Sequence, residues 1–247
     1  MAERADGGRS DGARDGTPGD GVVDPTARVT YTGAGLDDDA PLWRGAPPAP
    51  LGLLERWYAE VAADGRVTEP GAVVLATVDA AGDPDARTVL LKGLDARGAV
   101  VYTNLGSAKA RQLAAHPRAA LVLPWQEVSR QVRLRGWVEP TTREESTAYF
   151  ASRPRGSQVA AWASEQSRPV ADRAGLEARV TALEERFAGG DVPLPPGWGG
   201  LRVLVTEVEL WAGRPSRLHD RARWTSVSGE PARLDDAAAW RLERLQP

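Results

Sequence analysis

The sequence predicts a mainly antiparallel β protein of the α+β class, with a sheet or barrel and helices segregated from it. Strand-like runs follow one another through hairpin turns such as Asp95-Ala-Arg-Gly98, and helical periodicity is confined to the segments between them. This order differs from the strand–helix alternation of a parallel sheet. The sequence contains neither a GxGxxG nor a Walker motif, so it gives no support to a Rossmann or P-loop fold.

In the first half of the body, apolar residues at helical spacing, including Leu54, Trp57 and Val61, predict a helix over 51–63. The period then changes to that of strands. Ser107 is a suitable cap for a short helix that runs to His116. The strands predicted in this half lie at 72–78, 86–94, 99–103 and 118–124.

In the second half, Thr142 and Glu145 have capping-box spacing and predict a helix through Ser152. A further short helix is predicted over 157–164, and Asp172 is a suitable cap for a longer one. The strands predicted in this half lie at 128–139, 201–211, 217–225 and 240–245.

Composition narrows the class of protein. The 247 residues suffice for one large domain or two small ones, and the net charge of −3 provides no basic field for nucleic acid. The absence of cysteine and the presence of only two histidines exclude thiolate chemistry and a His-rich metal site, so no metal is expected. No apolar run approaches the roughly 20 residues of a membrane span, and the N-terminus lacks a signal-peptide core. A cytoplasmic protein is therefore expected.

Three segments are predicted. Residues 1–26 contain almost no large apolar side chain, so a disordered tail is expected. Residues 27–50 hold isolated apolar residues and several prolines, as expected of an N-terminal arm or lid. The folded domain is expected over 51–247.

The two lysines, Lys92 and Lys109, stand against twenty-nine arginines. A compact ammonium differs from a planar guanidinium as an anion ligand, so both are candidates for specific binding. Lys92 and Arg87 share one strand, and their spacing places them on opposite faces unless the strand bends. Ser107 and Lys109 lie at a predicted helix N-terminus, where backbone N–H groups favour a phosphate.

Two further groups of polar residues are candidates for anion binding. Tyr149 and Arg153 are four residues apart on a predicted helix and share a face, with Ser157 nearby. Arg217, His219 and Arg221 alternate on a predicted strand, so all three should point the same way. Any one group is more simply explained as solvated charges, but aligned cations repel one another unless an anion offsets them.

Six motifs in the chain resemble, in order and spacing, those of the pyridoxamine/pyridoxine 5′-phosphate oxidase family. The resemblance covers residues 50–247 and is weaker over 28–36. The motifs are Arg87-Thr-Val-Leu-Leu-Lys92, Tyr102-Thr-Asn-Leu-Gly-Ser107, Ser152-Arg-Pro-Arg-Gly-Ser-Gln158, Pro195-Pro-Gly-Trp-Gly-Gly200, Arg217-Leu-His-Asp-Arg221 and Arg244-Leu-Gln-Pro247.

The resemblance implies an FMN-binding split β-barrel, assembled as a homodimer with active sites at the subunit interface. It implies FMN contacts from Arg87, Thr88, Val89, Leu90, Leu91, Lys92, Tyr102, Thr103, Lys109, Gln131, Gln166, Ser167, Trp211 and Arg221. It implies substrate-phosphate contacts from Lys92, Tyr149, Arg153 and Ser157. The catalytic residues it implies, which also meet the substrate ring, are Arg217 and His219. Arg28 and Tyr31 resemble a segment that closes over the substrate.

The implied activity is oxidation of pyridoxamine 5′-phosphate and pyridoxine 5′-phosphate to pyridoxal 5′-phosphate, with O2 as acceptor and H2O2 as product. Neither a nucleic acid nor a membrane partner is expected. Ala108 departs from the family, because many members carry a phosphate-binding arginine there. Arg111, one helical turn further on, is the expected substitute.

Two alternatives remain open. One is a related flavin oxidase of another ring substrate, such as a phenazine precursor. The phosphate-binding set argues against it, because a substrate without phosphate does not need those residues. The other is a non-catalytic carrier of flavin or pyridoxal phosphate, which the presence of Arg217 and His219 disfavours.

Overall fold

The computed structural model describes residues 31, 35–36, 42–43 and 48–247. Its helices are α1 (Pro50–Asp64), α2 (Ala108–Ala115), α3 (Arg143–Ala151), α4 (Arg155–Ala163) and α5 (Arg173–Arg186). Its strands are β1 (Ala72–Val78), β2 (Pro84–Asp95), β3 (Gly98–Asn104), β4 (Arg118–Trp125), β5 (Arg130–Pro140), β6 (Trp198–Ala212), β7 (Asp220–Ser226) and β8 (Trp240–Leu245). Among these described residues, no helix is long and apolar enough to cross a membrane.

The strands form one antiparallel sheet in the order β3-β2-β1-β4-β5-β6-β7-β8. An additional pairing between β3 and β6 closes the first six strands into a barrel. Closure removes the two exposed edges that this part of an open sheet would leave. The predicted antiparallel barrel of the α+β class is confirmed.

Strand β6 belongs to both parts of the sheet. Its first residues, 198–203, pair with β3 and close the barrel, and its last residues, 207–212, pair with β7. Because β5 also pairs with β6 along most of its length, most residues of β6 are buried. The pair β7–β8 therefore extends the sheet beyond the barrel.

The main core fills the barrel and the space under α1. Its largest fully buried side chains include Trp57, Trp125 and Trp224. Leu36 and Leu42, which lie N-terminal to α1, are buried in the same cluster. The segment predicted to be an arm thus contributes apolar side chains to the core. The predicted tail, residues 1–26, lies outside the described residues.

The helix caps agree with the sequence. Ser107 caps α2, and Asp172 caps α5 by accepting a hydrogen bond from the Gly175 N–H at 2.6 Å. Thr142 and Glu145 form the predicted capping box of α3. Such caps satisfy backbone donors that have no partner within the helix.

The predicted strand over 217–225 is wrong at its start. Residues 215–217 form a 3₁₀ turn that begins with Pro215, and β7 starts only at Asp220. Ser216 and Arg217 have positive φ angles of 57° and 60°, which a strand cannot accommodate. This turn changes the direction in which the following side chains point.

We predict that Gly136→Ala strongly destabilises the barrel. A Cβ at Gly136 would collide with the carbonyl of Leu204, at the register shift between β5 and β6. Because both partners are backbone, we expect the free energy of unfolding to fall by more than about 2 kcal/mol. Denaturant titration at fixed protein concentration measures the free energy of unfolding.

Gly52→Ala in α1 is the matched control, since nothing lies within 4 Å of its new methyl group. It should stabilise the helix by about 0.5 kcal/mol. Equal stability of Gly136→Ala and the wild type would contradict the assigned register.

Candidate active site

A cavity of about 550 Å³ opens where β2 and β3 meet the segment that includes α3 and α4. It brings together most of the residues selected from the sequence. Those that line it are Arg87, Thr88, Val89, Leu90, Lys92, Tyr102, Thr103, Lys109, Tyr149, Arg153, Ser157, Gln166 and Ser167.

Arg87 and Lys92 both reach this cavity because β2 is irregular. The register between β2 and β3 shifts between Leu91 and Gly93, and a bulge of this kind reorients the residues beyond it. The condition that the strand must bend is therefore met. Leu91 itself, only 7% exposed, points into the core, so its side chain does not line the cavity.

The Arg87 guanidinium is held in one orientation by the protein. One terminal nitrogen donates to the Thr77 hydroxyl at 2.6 Å and to the Leu75 carbonyl at 3.3 Å. The other donates to the Gln112 side-chain oxygen at 3.0 Å and pairs with the Asp85 carboxylate. Arg87 is thus anchored before any ligand arrives.

Lys109 is a buried cation with neutral hydrogen-bond partners. Its ammonium donates to the Gln166 side-chain oxygen at 3.0 Å and to the Thr103 hydroxyl at 3.3 Å. Burial, and then the positive charge of Arg87, lower the pKa of Lys109. Two cations near each other in a cavity create a positive potential that favours an anion.

Aromatic rings form one wall of the cavity. Tyr102 and Tyr149 stack with their centroids 4.0 Å apart, and Trp198 is nearly parallel to Tyr102 at 5.5 Å. The guanidinium carbon of Arg153 lies 4.8 Å from the Trp198 ring centroid. Since a guanidinium over an indole face is attracted by its π electrons, Trp198 orients Arg153.

Arg153 is a partly buried cation at the cavity. One of its terminal nitrogens is buried and has no hydrogen-bond partner among the described residues, and burial lowers the pKa of its guanidinium. The prediction that Arg153 shares a helix with Tyr149 is wrong, because α3 ends at Ala151. Both side chains nevertheless line the same cavity.

A second cluster gathers other predicted residues around the ends of β5, β6 and β7. Trp211 lies 4.6 Å from His219 between ring centroids, and Tyr31 packs edge-on against both rings. Trp211 is paired in the sheet with Gln131 on one side and Arg221 on the other. None of these five residues lines the described cavity. Arg28 lies outside the described residues.

The prediction that Arg217, His219 and Arg221 alternate along one strand is wrong. Only Arg221 lies on β7, whereas Arg217 lies in the preceding turn and His219 in the link between them. Arg221 donates twice to the buried Glu209 carboxylate, at 2.8 and 2.9 Å. The charge of Arg221 is thus offset within the protein.

His219 is held by the backbone of its own loop. Its Nδ1 accepts a hydrogen bond from the Arg214 N–H at 3.1 Å. A neutral imidazole that accepts at Nδ1 carries its proton at Nε2. Burial, and then the charge of Arg217, lower the pKa of His219. His219 therefore offers an Nε2–H donor at neutral pH.

The sequence did not single out several residues at the cavity. Trp198 occurs in a quoted motif, but its position under Arg153 depends on the β3–β6 pairing. Thr77 and Gln112, which hold Arg87, gave no signal because a buried hydroxyl and a helical amide are common. Arg111, the expected substitute at Ala108, donates instead to the Gly106 carbonyl and does not line the cavity.

The sequence matches two family models and many curated proteins. Residues 60–187 match the model described as pyridoxamine 5′-phosphate oxidase. The chain is 53% identical to pyridoxine/pyridoxamine 5′-phosphate oxidase of Rubrobacter xylanophilus, over 78% of this chain and 87% of that protein. It is 52% identical to the protein of that name from Burkholderia multivorans, over 80% of this chain and 89% of that protein.

The chain belongs to the pyridoxamine 5′-phosphate oxidase family. Residues 198–247 match the C-terminal dimerisation region of pyridoxine 5′-phosphate oxidase. This region contains β6, β7 and β8, and therefore most of the second cluster. The match indicates that the protein forms a homodimer through this part of the chain.

Solved structures support the family fold. PhzG from Burkholderia lata, in complex with tetrahydrophenazine-1-carboxylic acid, has a TM-score of 0.74 and 31% identity, covering 84% of this chain and 97% of that one. A pyridoxamine 5′-phosphate oxidase-related, FMN-binding protein from Nostoc punctiforme has a TM-score of 0.61 at 17% identity. The match covers 84% of this chain and 98% of that one. The second likeness shows the split-barrel fold alone.

We predict that His219 in this family member titrates below about 6.5, the usual pKa of histidine. The folded protein then binds this proton less tightly than the unfolded chain does. The contribution to stability is present above about pH 6.5 and is lost as pH falls through the folded-state pKa. NMR titration measures the pKa of His219 directly, and the His219→Asn variant assigns its resonance. A pKa above that of the unfolded chain would contradict the assigned environment.

Proposed function

We propose that this protein is an FMN-dependent oxidase that converts pyridoxamine 5′-phosphate and pyridoxine 5′-phosphate into pyridoxal 5′-phosphate. The observation that carries the proposal is that one cavity is lined by two sets of side chains of the kinds that bind phosphate. Arg87 and Lys109 form one set, and Lys92, Tyr149, Arg153 and Ser157 form the other. A phosphorylated cofactor and a phosphorylated substrate together account for both.

The first set fits the FMN phosphate. Arg87 is anchored with its guanidinium at the cavity, and Lys109 is buried among neutral acceptors. Asp85 offsets only part of the positive charge of this pair of cations, and a dianionic phosphate would offset the rest. The strand residues Thr88, Val89 and Leu90 would lie along the flavin, with Tyr102, Thr103, Gln166 and Ser167 at its side.

The second set fits the substrate phosphate. Arg153 is partly exposed and lines the cavity, so a phosphate oxygen would accept a hydrogen bond from the guanidinium donors that face the cavity. Ser157 and Tyr149 add hydroxyl groups, and Lys92 adds a second positive charge. These groups bind and orient the substrate, which places its exocyclic carbon for reaction.

The second cluster would complete the site from the other protomer. Gln131, Trp211, Arg217, His219 and Arg221 lie in or beside the region that matches a dimerisation model. In a homodimer, the partner's copies of these residues would meet the cavity of the first protomer. Leu91 would contact FMN through its backbone. Tyr31 would cover the bound substrate.

FMN held by Arg87 and Lys109 would supply a hydride acceptor for the exocyclic carbon, and its reoxidation by O2 would give H2O2. Arg217 cannot act as a base at its usual pKa, so its role is to stabilise charge near the ring. His219, neutral with a proton at Nε2, would donate a hydrogen bond to the substrate. The amine substrate additionally loses ammonia by hydrolysis of its imine.

Two alternatives are weaker. A phenazine precursor resembles the ligand of the PhzG structure, but it carries no phosphate for Arg153 to bind. A non-catalytic carrier would not need a neutral histidine beside an arginine near the flavin.

The deciding experiment is anaerobic reduction of the FMN-reconstituted protein. Pyridoxine 5′-phosphate should bleach the flavin absorbance, and O2 should restore it with release of H2O2 and pyridoxal 5′-phosphate. Pyridoxine and tetrahydrophenazine-1-carboxylic acid are the phosphate-free comparisons. Bleaching by the phenazine compound alone would favour the first alternative, and bleaching by none would favour a carrier.

We predict that Arg153→Met raises the KM for pyridoxine 5′-phosphate with a smaller change in kcat. Hydrogen bonds to charged groups contribute about 1.5–3 kcal/mol, which corresponds to about tenfold or more in KM. Steady-state kinetics measure both constants. Arg179→Met, on the exposed face of α5, is the matched control. An unchanged KM would show that Arg153 does not bind the substrate.

We predict that Lys109→Met abolishes tight FMN binding without lowering the stability of the flavin-free protein. The pKa of Lys109 is lowered by burial, so the charged form costs folding free energy at neutral pH. Methionine removes the charge at similar volume. Thermal melts without FMN and flavin fluorescence titrations measure the two effects. A marked fall in the flavin-free melting temperature would mean that Lys109 is structural.

A further inference from the structure

The side chain of Gln112 connects two elements that carry cations of the cavity. Gln112 lies on α2, which also bears Lys109, whereas Arg87 lies on β2. The Gln112 side-chain oxygen accepts from the Thr77 hydroxyl at 2.7 Å and from Arg87 at 3.0 Å. Its amide nitrogen donates to the Asp85 carboxylate at 2.9 Å.

The chemistry of its neighbours allows only one orientation of this amide. Arg87 can only donate and an ionised Asp85 can only accept, so the oxygen must face Arg87 and the nitrogen must face Asp85. Glutamate could accept from Arg87 but could not donate to Asp85. Leucine could do neither. A carboxamide is therefore the group that satisfies both neighbours.

The arrangement leaves Arg87 little freedom. Its two terminal nitrogens have acceptors in the Leu75 carbonyl, Thr77, Gln112 and Asp85. Thr77, which is only 3% exposed, accepts from Arg87 while donating to Gln112, so the three groups form a closed triangle. Shared hydrogen bonds of this kind restrict rotation of each member.

We propose that Gln112 is a positioning residue for phosphate binding, which fixes the Arg87 guanidinium and holds α2 at the distance that lets Lys109 act with it. The inference rests on the proposed function, since it takes the bound phosphate to be that of FMN. Gln112 does not line the cavity, so it acts through Arg87. The amide of Gln112 is neutral, so Asp85 remains the one carboxylate paired with Arg87 among the described residues.

The test compares FMN with riboflavin, which has the same ring and no phosphate. Gln112→Glu should raise the FMN Kd about tenfold or more, because a second carboxylate beside Arg87 repels both Asp85 and the phosphate. The riboflavin Kd should not change. Both constants are measured by quenching of flavin fluorescence, with thermal melts of each flavin-free protein.

Three further variants sharpen the result. Ala114→Glu adds the same charge at an exposed position of α2 and should leave both constants unchanged. Asp85→Asn in the Gln112→Glu background restores a donor opposite the carboxylate and should recover part of the FMN affinity. Thr77→Val removes one hydroxyl from the triangle and should raise the FMN Kd about threefold. It also tests the inference if Gln112→Glu fails to fold.

Each contrary result has a distinct meaning. If the Kd values for FMN and riboflavin rise together, Gln112 has a general structural role and the inference is wrong. It is also wrong if neither value changes. Failure of the wild-type protein to bind FMN would overturn the proposed function as well, and would be seen before any variant is compared.

Discussion

The pairing of β3 with β6 is the constraint on which the other features depend. It closes the barrel, and it places Tyr102 opposite Gly200 and Asn104 opposite Trp198. Gly200 permits the approach, because a Cβ there would lie within 2.8 Å of the Tyr102 ring and closer to Thr141. Without this pairing, the aromatic wall of the cavity and the strand that carries the second cluster would have no fixed relation.

Around this framework, the protein keeps some cations poorly compensated and neutralises others. Arg221, outside the cavity, is paired with a buried glutamate. Lys109 and Arg153, which line the cavity, have neutral partners or lack one. Uncompensated charge lowers stability, whereas a bound anion restores it by mass action. Arg87, which also lines the cavity, is an intermediate case, because Asp85 pairs with it.

Local sequence signals predicted most of the elements. Caps such as Thr142 and Asp172 depend on a few neighbouring residues, so they were readable directly. The start of β7 could not be predicted in this way, because the alternation of polar residues over 217–221 resembles that of a strand. Ser216 and Arg217 have positive φ angles, which interrupt the strand. Neither serine nor arginine is a residue type that predicts a positive φ angle. The residues that hold Arg87 come from distant parts of the chain and gave no local signal.

By itself, the sequence determined the antiparallel class, most strand positions and the residue types that suit two phosphates. These properties follow from periodicity, turn chemistry and motif order, which are local along the chain. Only the tertiary structure decided which candidates meet. It brought Arg87 and Lys92 into one cavity through a bulge in β2, and it placed Trp211 and His219 elsewhere. Proximity depends on long-range strand pairing, which no short stretch of sequence specifies.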